Sequence, residues 1–141
     1  MSFREKTAWV TLITLIALTV LFILHIPRPY TLAPPANLFL FHVLILSILT
    51  FVVVEVVAHI VIAIRAPDDA RAPKDERERL IELKSTVVAA YVYAFLSLGS
   101  VFITIHLGAN VIMIAYLVLF SFVLAQIANY TMRVIYYRRG F

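Results

Sequence analysis

Four long apolar runs organise the chain: Thr7–Ile26, Leu38–Ile64, Thr86–Leu107 and Val111–Met132. Each reaches the roughly 20 residues a helix needs to cross a hydrocarbon core about 30 Å thick. Runs of this kind predict helices, because lipid satisfies no backbone polar group and the segment must do so internally. The breaks between them are short. Pro27-Arg-Pro-Tyr-Thr-Leu-Ala-Pro-Pro35 cannot be helical, since proline removes donors and restricts the residue before it, and Asn37 then serves as an N-cap for the second span. Gly108 suits the left-handed position that ends a helix, and Asn110 can cap the next. The third and fourth spans are therefore expected to form a tight antiparallel hairpin. The predicted fold is all-α, a four-transmembrane-helix up-down bundle without an internal repeat, forming a single integral membrane domain over residues 1–141.

The sizeable polar segment runs from Ala66 to Lys84. Pro67 ends the second span, and Pro73 can occupy the first turn of a new helix, with Asp75 and Glu76 near its positive end. Nothing after Lys74 breaks helix before Gly99. A helical stem over residues 74–85 should therefore run into the third span and project about three turns from the membrane. Asp75 and Arg79 are spaced to pair at i, i+4, and Leu80, Leu83 and Val87 form a narrow apolar face. A solvated stem resting on its neighbours explains this pattern, with a partner-docking helix as the alternative. Six acids against five bases from Asp68 to Lys84 argue against a polybasic lipid patch.

Composition agrees with the pattern. Hydrophobic residues make up 63% of the chain and charged ones 14%, with a mean hydropathy of +0.99; soluble domains run near 45–50% and about 25%. The first run is too long and too rich in threonine for a signal peptide, and it lacks a small-residue cleavage site. The absence of cysteine excludes disulfides, thiolate metal sites and cysteine redox relays. Eleven Lys and Arg residues flank the spans on one side, and Arg28 stands alone on the other. The positive-inside tendency then places both termini in the cytoplasm, with Phe3, Trp9, Tyr130, Tyr136 and Tyr137 marking the inner interface. The net charge of +4 follows topology and forms no groove-sized patch for nucleic acid.

At about 100° per residue, polar and small residues collect on one face of each span. The first span aligns Thr7, Thr11, Thr14 and His25, interrupted by Leu18. The third gathers Thr86, Ala90, Tyr93, Ala94, Ser97, Ser100 and Thr104. Small and hydroxyl residues are what membrane helices pack with, so packing explains these two stripes. Glu55 and His59 differ. They share one helix face in the middle of the second span, and an ionisable group there is a functional candidate by default. The fourth span gathers Gln126, Asn129 and Arg133. Measured from the middle of each run, Glu55 and Gln126 lie about 6 Å toward the basic side, and His59 and Asn129 about 10–12 Å. With Tyr93 at a comparable level, the expected ligand or proton site comprises Glu55, His59, Gln126, Asn129 and Tyr93. A satisfied polar cluster that fixes register, a proton- or ion-handling site, and a site for a lipid, quinone or other small apolar ligand all fit these residues.

His25, His42 and His106 lie near the opposite ends of their spans, where three imidazoles could ligate a metal or two could hold a haem. His42 is turned about 100–140° from the Glu55 face, and His106 points away from its own polar stripe. Interfacial histidines meeting water account for them better. No phosphate loop, H-E-x-x-H pattern or nucleophile elbow is present, and Gln126 and Asn129 are poor ligands to add to Glu55 and His59 for a transition metal.

The stretch Pro73-Lys-Asp-Glu-Arg-Glu-Arg-Leu-Ile-Glu-Leu-Lys-Ser-Thr86, entering a tyrosine-rich span, resembles uncharacterised four-span bacterial inner-membrane proteins in which an Asp-Glu-Arg helix leads into the third span. The ending Arg133-Val-Ile-Tyr-Tyr-Arg-Arg-Gly140 is similar too. This resemblance implies a bacterial inner-membrane location and carries no activity. The expectation is a non-enzymatic, cofactor-free, small integral membrane protein, working in the bilayer as a homo-oligomer. Its intramembrane site would handle a proton, cation or small ligand. The alternatives are an accessory or assembly subunit of a larger membrane complex and, third, a haem- or quinone-binding redox subunit.

Overall fold

The computed structural model describes residues 3–25, 34–107 and 111–139, all but a few of them helical. The elements are α1 (Phe3–His25), α2 (Pro34–Arg65), a single short turn α3 (Pro67–Arg71), α4 (Glu76–Leu107) and α5 (Val111–Arg139). Four of these helices are long and apolar enough to cross a membrane, so the chain is a multi-pass membrane protein.

Packing follows the rules of lipid rather than water. Most of the buried positions are small or polar: Ala8, Thr11, Ser85, Ala89, Ser100, Thr104, Ser121, Ala125 and Asn129, with Leu12, Leu15, Ile81 and Val134 the larger ones among them. Large aliphatic residues such as Leu24, Val53, Ile64, Leu98 and Ile105 face outward. Lipid tails are as apolar as leucine, so burying leucine gains little, whereas small residues allow close backbone approach. α4 packs most extensively on α5, α5 in turn on α1, and α1 on α2. The α4–α5 pair is antiparallel: Arg133 meets Glu82 at one end, Tyr93 meets Phe122 edge-on midway, and the Ser100 and Ser121 hydroxyls share a hydrogen bond of 3.1 Å further along. Ala8, Leu12 and Val134 form the α1–α5 seam, with Trp9, Ile127 and Tyr130 against it.

Several local expectations change. α2 starts at Pro34, ahead of Asn37. Proline is tolerated there because first-turn amides have no helical acceptor in any case. Pro67 ends α2 and also opens α3, whose last carbonyl bond runs from the Ala72 amide to Asp68. α4 begins at Glu76, beyond Pro73, and is capped by Asp75. The Asp75 carboxylate accepts from the Glu76 amide at 2.7 Å, and Glu78 reaches back to the Asp75 amide at 3.3 Å. The second of these bonds is the return half of a capping box. From there α4 is one continuous helix through Gly99 to Leu107.

The charged first turns of α4 do not stand alone in solvent. Ile81 and Ser85 are fully buried, while Leu80, Leu83 and Val87 point outward. The apolar face read from the sequence is thus the outer one, and the face bearing Ile81, Ser85 and Ala89 carries the packing. On the third span's stripe, Ser100 and Thr104 are buried, whereas Thr86, Ala90, Tyr93 and Ala94 are exposed. Residues 108–110, where a tight hairpin connection is expected, and most of the first proline-rich connection lie outside the described residues.

Candidate functional site: a buried carboxyl between two cavities

Thr11 and Glu55 face each other across the α1–α2 contact. The Thr11 hydroxyl donates to Glu55 Oε2 at 2.6 Å. The other carboxyl oxygen, Oε1, is buried and makes no hydrogen bond. A buried acceptor left unpaired is costly, more so in a bilayer, where water does not compensate. Among the described residues Oε1 shares this state with Trp9 Nε1 and the Tyr116 hydroxyl, and it is the one carboxyl oxygen of the three.

His59 is the carboxyl's link outward. Its Nδ1 lies 2.7 Å from the Glu55 carbonyl and 3.5 Å from Glu55 Oε2. A carbonyl only accepts, so Nδ1 carries the proton, and in the neutral ring Nε2 is the free acceptor. The His59 side chain is 45% exposed and that of Glu55 only 12%. The pair thus grades from a sealed acid to an open base within one helical turn.

The open side is a polar basin of about 350 Å3 where the ends of four helices meet. Thr7 and Thr11 line it from α1, His59 from α2, Glu78 and Glu82 from α4, and Tyr130, Arg133 and Tyr137 from α5. Arg4 spans its edge, pairing with Glu78 and donating to the Ala72 carbonyl at 2.9 Å. Lys74 and Arg133 both reach Glu82, at 2.5 and 3.4 Å. Arg133 also donates to Asn129 at 3.3 Å and stacks over Tyr130 at 5.0 Å. Nearby, Arg138 lies 3.7 Å from Glu5 and over the Trp9 ring.

On the other side of Glu55 is an apolar crevice of about 550 Å3 between α1, α2 and α5. Leu15, Phe22, Phe51, Val52, Phe120 and Val123 line it, with Gln126 and Tyr130 at its inner end. Tyr130 belongs to both cavities. Leu15 and Phe51 each lie one turn from Thr11 and Glu55, so the Thr11–Glu55 hydrogen bond sits in the wall between crevice and basin.

The five residues singled out from the sequence are thus distributed over this region. Glu55 and His59 are together. Gln126 lines the apolar crevice rather than touching Glu55. Asn129 is buried but engaged by Arg133, in the basin's ionic network. Tyr93 sits on the far seam against Phe122, with ring centroids 6.1 Å apart. Thr11, the direct partner of Glu55, was visible in the sequence only as one of a stripe of threonines.

At the opposite helix ends, His106 is exposed, its ring against Phe102 and its Nδ1 3.0 Å from the Phe102 carbonyl; His42 is exposed as well. Among the described residues no group of three or more His, Cys, Asp or Glu side chains is arranged to hold a metal ion. Comparison with known protein families, with curated proteins and with solved structures finds no match to this chain.

Proposed function

We propose that this is a bacterial inner-membrane protein with four up-and-down spans and both termini in the cytoplasm, in which Glu55 and His59 pass a proton between the polar basin and the membrane interior. One observation carries the reading: a carboxyl inside the bilayer keeps one oxygen unpaired while its neighbour, His59, opens to a polar cavity. Carboxyl–imidazole pairs are the groups proton relays use, because imidazole changes charge near neutral pH. In this relay, Nε2 of His59 takes a proton from the basin. Nδ1 releases one toward Glu55 Oε2, and the ring then returns to its first tautomer. Thr11 holds the carboxyl in line.

Orientation rests on the basic residues. All four helix ends at the basin carry Lys or Arg, as the cytoplasmic side of a membrane protein should. An oligomer supplies what one subunit lacks, since a row of four helices encloses little private space. Replacing Glu55 with Gln in proteoliposomes tests the function. Proton movement driven by a membrane potential should be lost while helical content is unchanged. Undiminished proton movement in Glu55→Gln would refute it.

A second reading, an accessory subunit of a larger complex, draws on α2. Apart from the Glu55–His59 face its span is almost wholly apolar, has no buried residue among those described, and rests mainly on α1. In that role Glu55 serves packing, and the chain co-purifies with larger partners.

A further inference from the structure

We infer that the apolar crevice binds a lipophilic organic cation whose charge is balanced by Glu55. This deepens the proton-handling reading and rests on it, naming a second ligand for the same carboxyl. The crevice, at about 550 Å3, has the volume of a site for a small organic molecule. Its walls are aromatic and aliphatic: Phe22, Phe51, Phe120 and Tyr116 contribute ring surfaces that attract cations through their π faces.

Charge distribution sets the sign of the ligand. Among the described residues no Lys, Arg or His lines the crevice. The hydroxyls of Thr19 and Ser47, which also line it, are turned back to their own helices, bonded to the Leu15 and Val43 carbonyls at 2.6 and 2.8 Å. The inner end is closed by Gln126 and Tyr130, and one helical turn past Phe51 stands the Glu55 carboxyl with its unpaired Oε1. One turn of helix is about 5.4 Å. A cation at the inner end therefore lies close enough to feel the carboxylate through low-dielectric surroundings. Arg133, which stacks over Tyr130, is held on the basin side by Glu82 and Asn129. An anion would meet the carboxylate with no compensating charge, and a neutral molecule could at most hydrogen-bond it and would leave its charge unbalanced.

Two ions of one shape and opposite charge test this on the full chain in detergent: tetraphenylphosphonium and tetraphenylborate. The phosphonium should bind saturably and the borate should not. Glu55→Gln should weaken phosphonium binding by about tenfold or more, a difference of at least about 1.4 kcal/mol. Phe51→Ala, which leaves the carboxyl in place, should weaken it as well. Equal binding of the two ions by the unaltered protein overturns the inference, leaving a crevice that selects only for apolar bulk; this comparison needs no variant to fold. Unchanged phosphonium binding in Glu55→Gln overturns it too. If the phosphonium fails to bind while Glu55-dependent proton movement persists, the cation inference falls and the proton reading stands. Loss of both would remove the two together.

Discussion

Replacing Thr11 with Val isolates the single hydrogen bond that the buried carboxyl receives from another helix. Valine keeps the branched shape of threonine and removes only the hydroxyl. At 2.6 Å the bond is short. Hydrogen bonds to charged groups are worth about 1.5–3 kcal/mol in soluble proteins. Bonds between membrane helices average about 0.6 and reach about 1.7 kcal/mol, because the unfolded chain in lipid also finds partners. The two ranges bracket a carboxyl in either protonation state, so Thr11→Val should cost about 1–2 kcal/mol. The assay is reversible unfolding in mixed micelles, followed by circular dichroism, in a double-mutant cycle with Glu55→Leu. Once the acid is gone, losing the hydroxyl should matter little, and the coupling should exceed about 0.5 kcal/mol. Identical costs of Thr11→Val with and without Glu55 would show that the threonine only fills space and would refute the assignment.

Three further outcomes follow from local geometry. Asp75→Ala removes the cap of α4 and should cost about 1 kcal/mol, with faster amide exchange confined to the helix start near Glu76–Arg79. Gly99→Ala should stabilise by about 0.5–1 kcal/mol, because an added Cβ meets nothing within 4 Å and alanine is the better helix former; a lowered thermal midpoint would contradict this. Ser85→Leu should destabilise by about 1–3 kcal/mol, read in the same micellar unfolding, because Ser85 has no exposed surface and the close seam of α4 has no room for a longer side chain.

The long helices were legible in the sequence because their cause is local: run length and the need to satisfy the backbone in lipid. Helix ends were less so. Asn37 looked like a cap, yet Pro34 opens α2, since a first-turn proline loses no hydrogen bond. Leu80, Leu83 and Val87 formed a clear apolar face, but in a bilayer such a face points outward, and the signal for contact was Ile81, Ser85 and Ala89. The Glu55–His59 pair was visible because i, i+4 spacing fixes it within one helix. Its neighbours were harder to find. Depth places Gln126 and Asn129 level with the pair, but depth carries no rotation about the helix axis and no order of packing. Those two quantities bring Thr11 to the carboxyl, turn Gln126 into the crevice and give Asn129 to Arg133.

α2 carries a consequence of its own. Its apolar run from Leu38 to Ile64 is about 40 Å long as helix, some 10 Å more than a typical hydrocarbon core. A helix too long for its bilayer tilts, and α2, held mainly along α1, is the span with least to resist tilting. The same helix forms one wall of the crevice and carries Glu55. The width of that opening, and the reach from carboxyl to basin, are then set in part by lipid chain length. Thicker membranes should draw α2 upright and thinner ones lean it over, making bilayer thickness a physical control on the site.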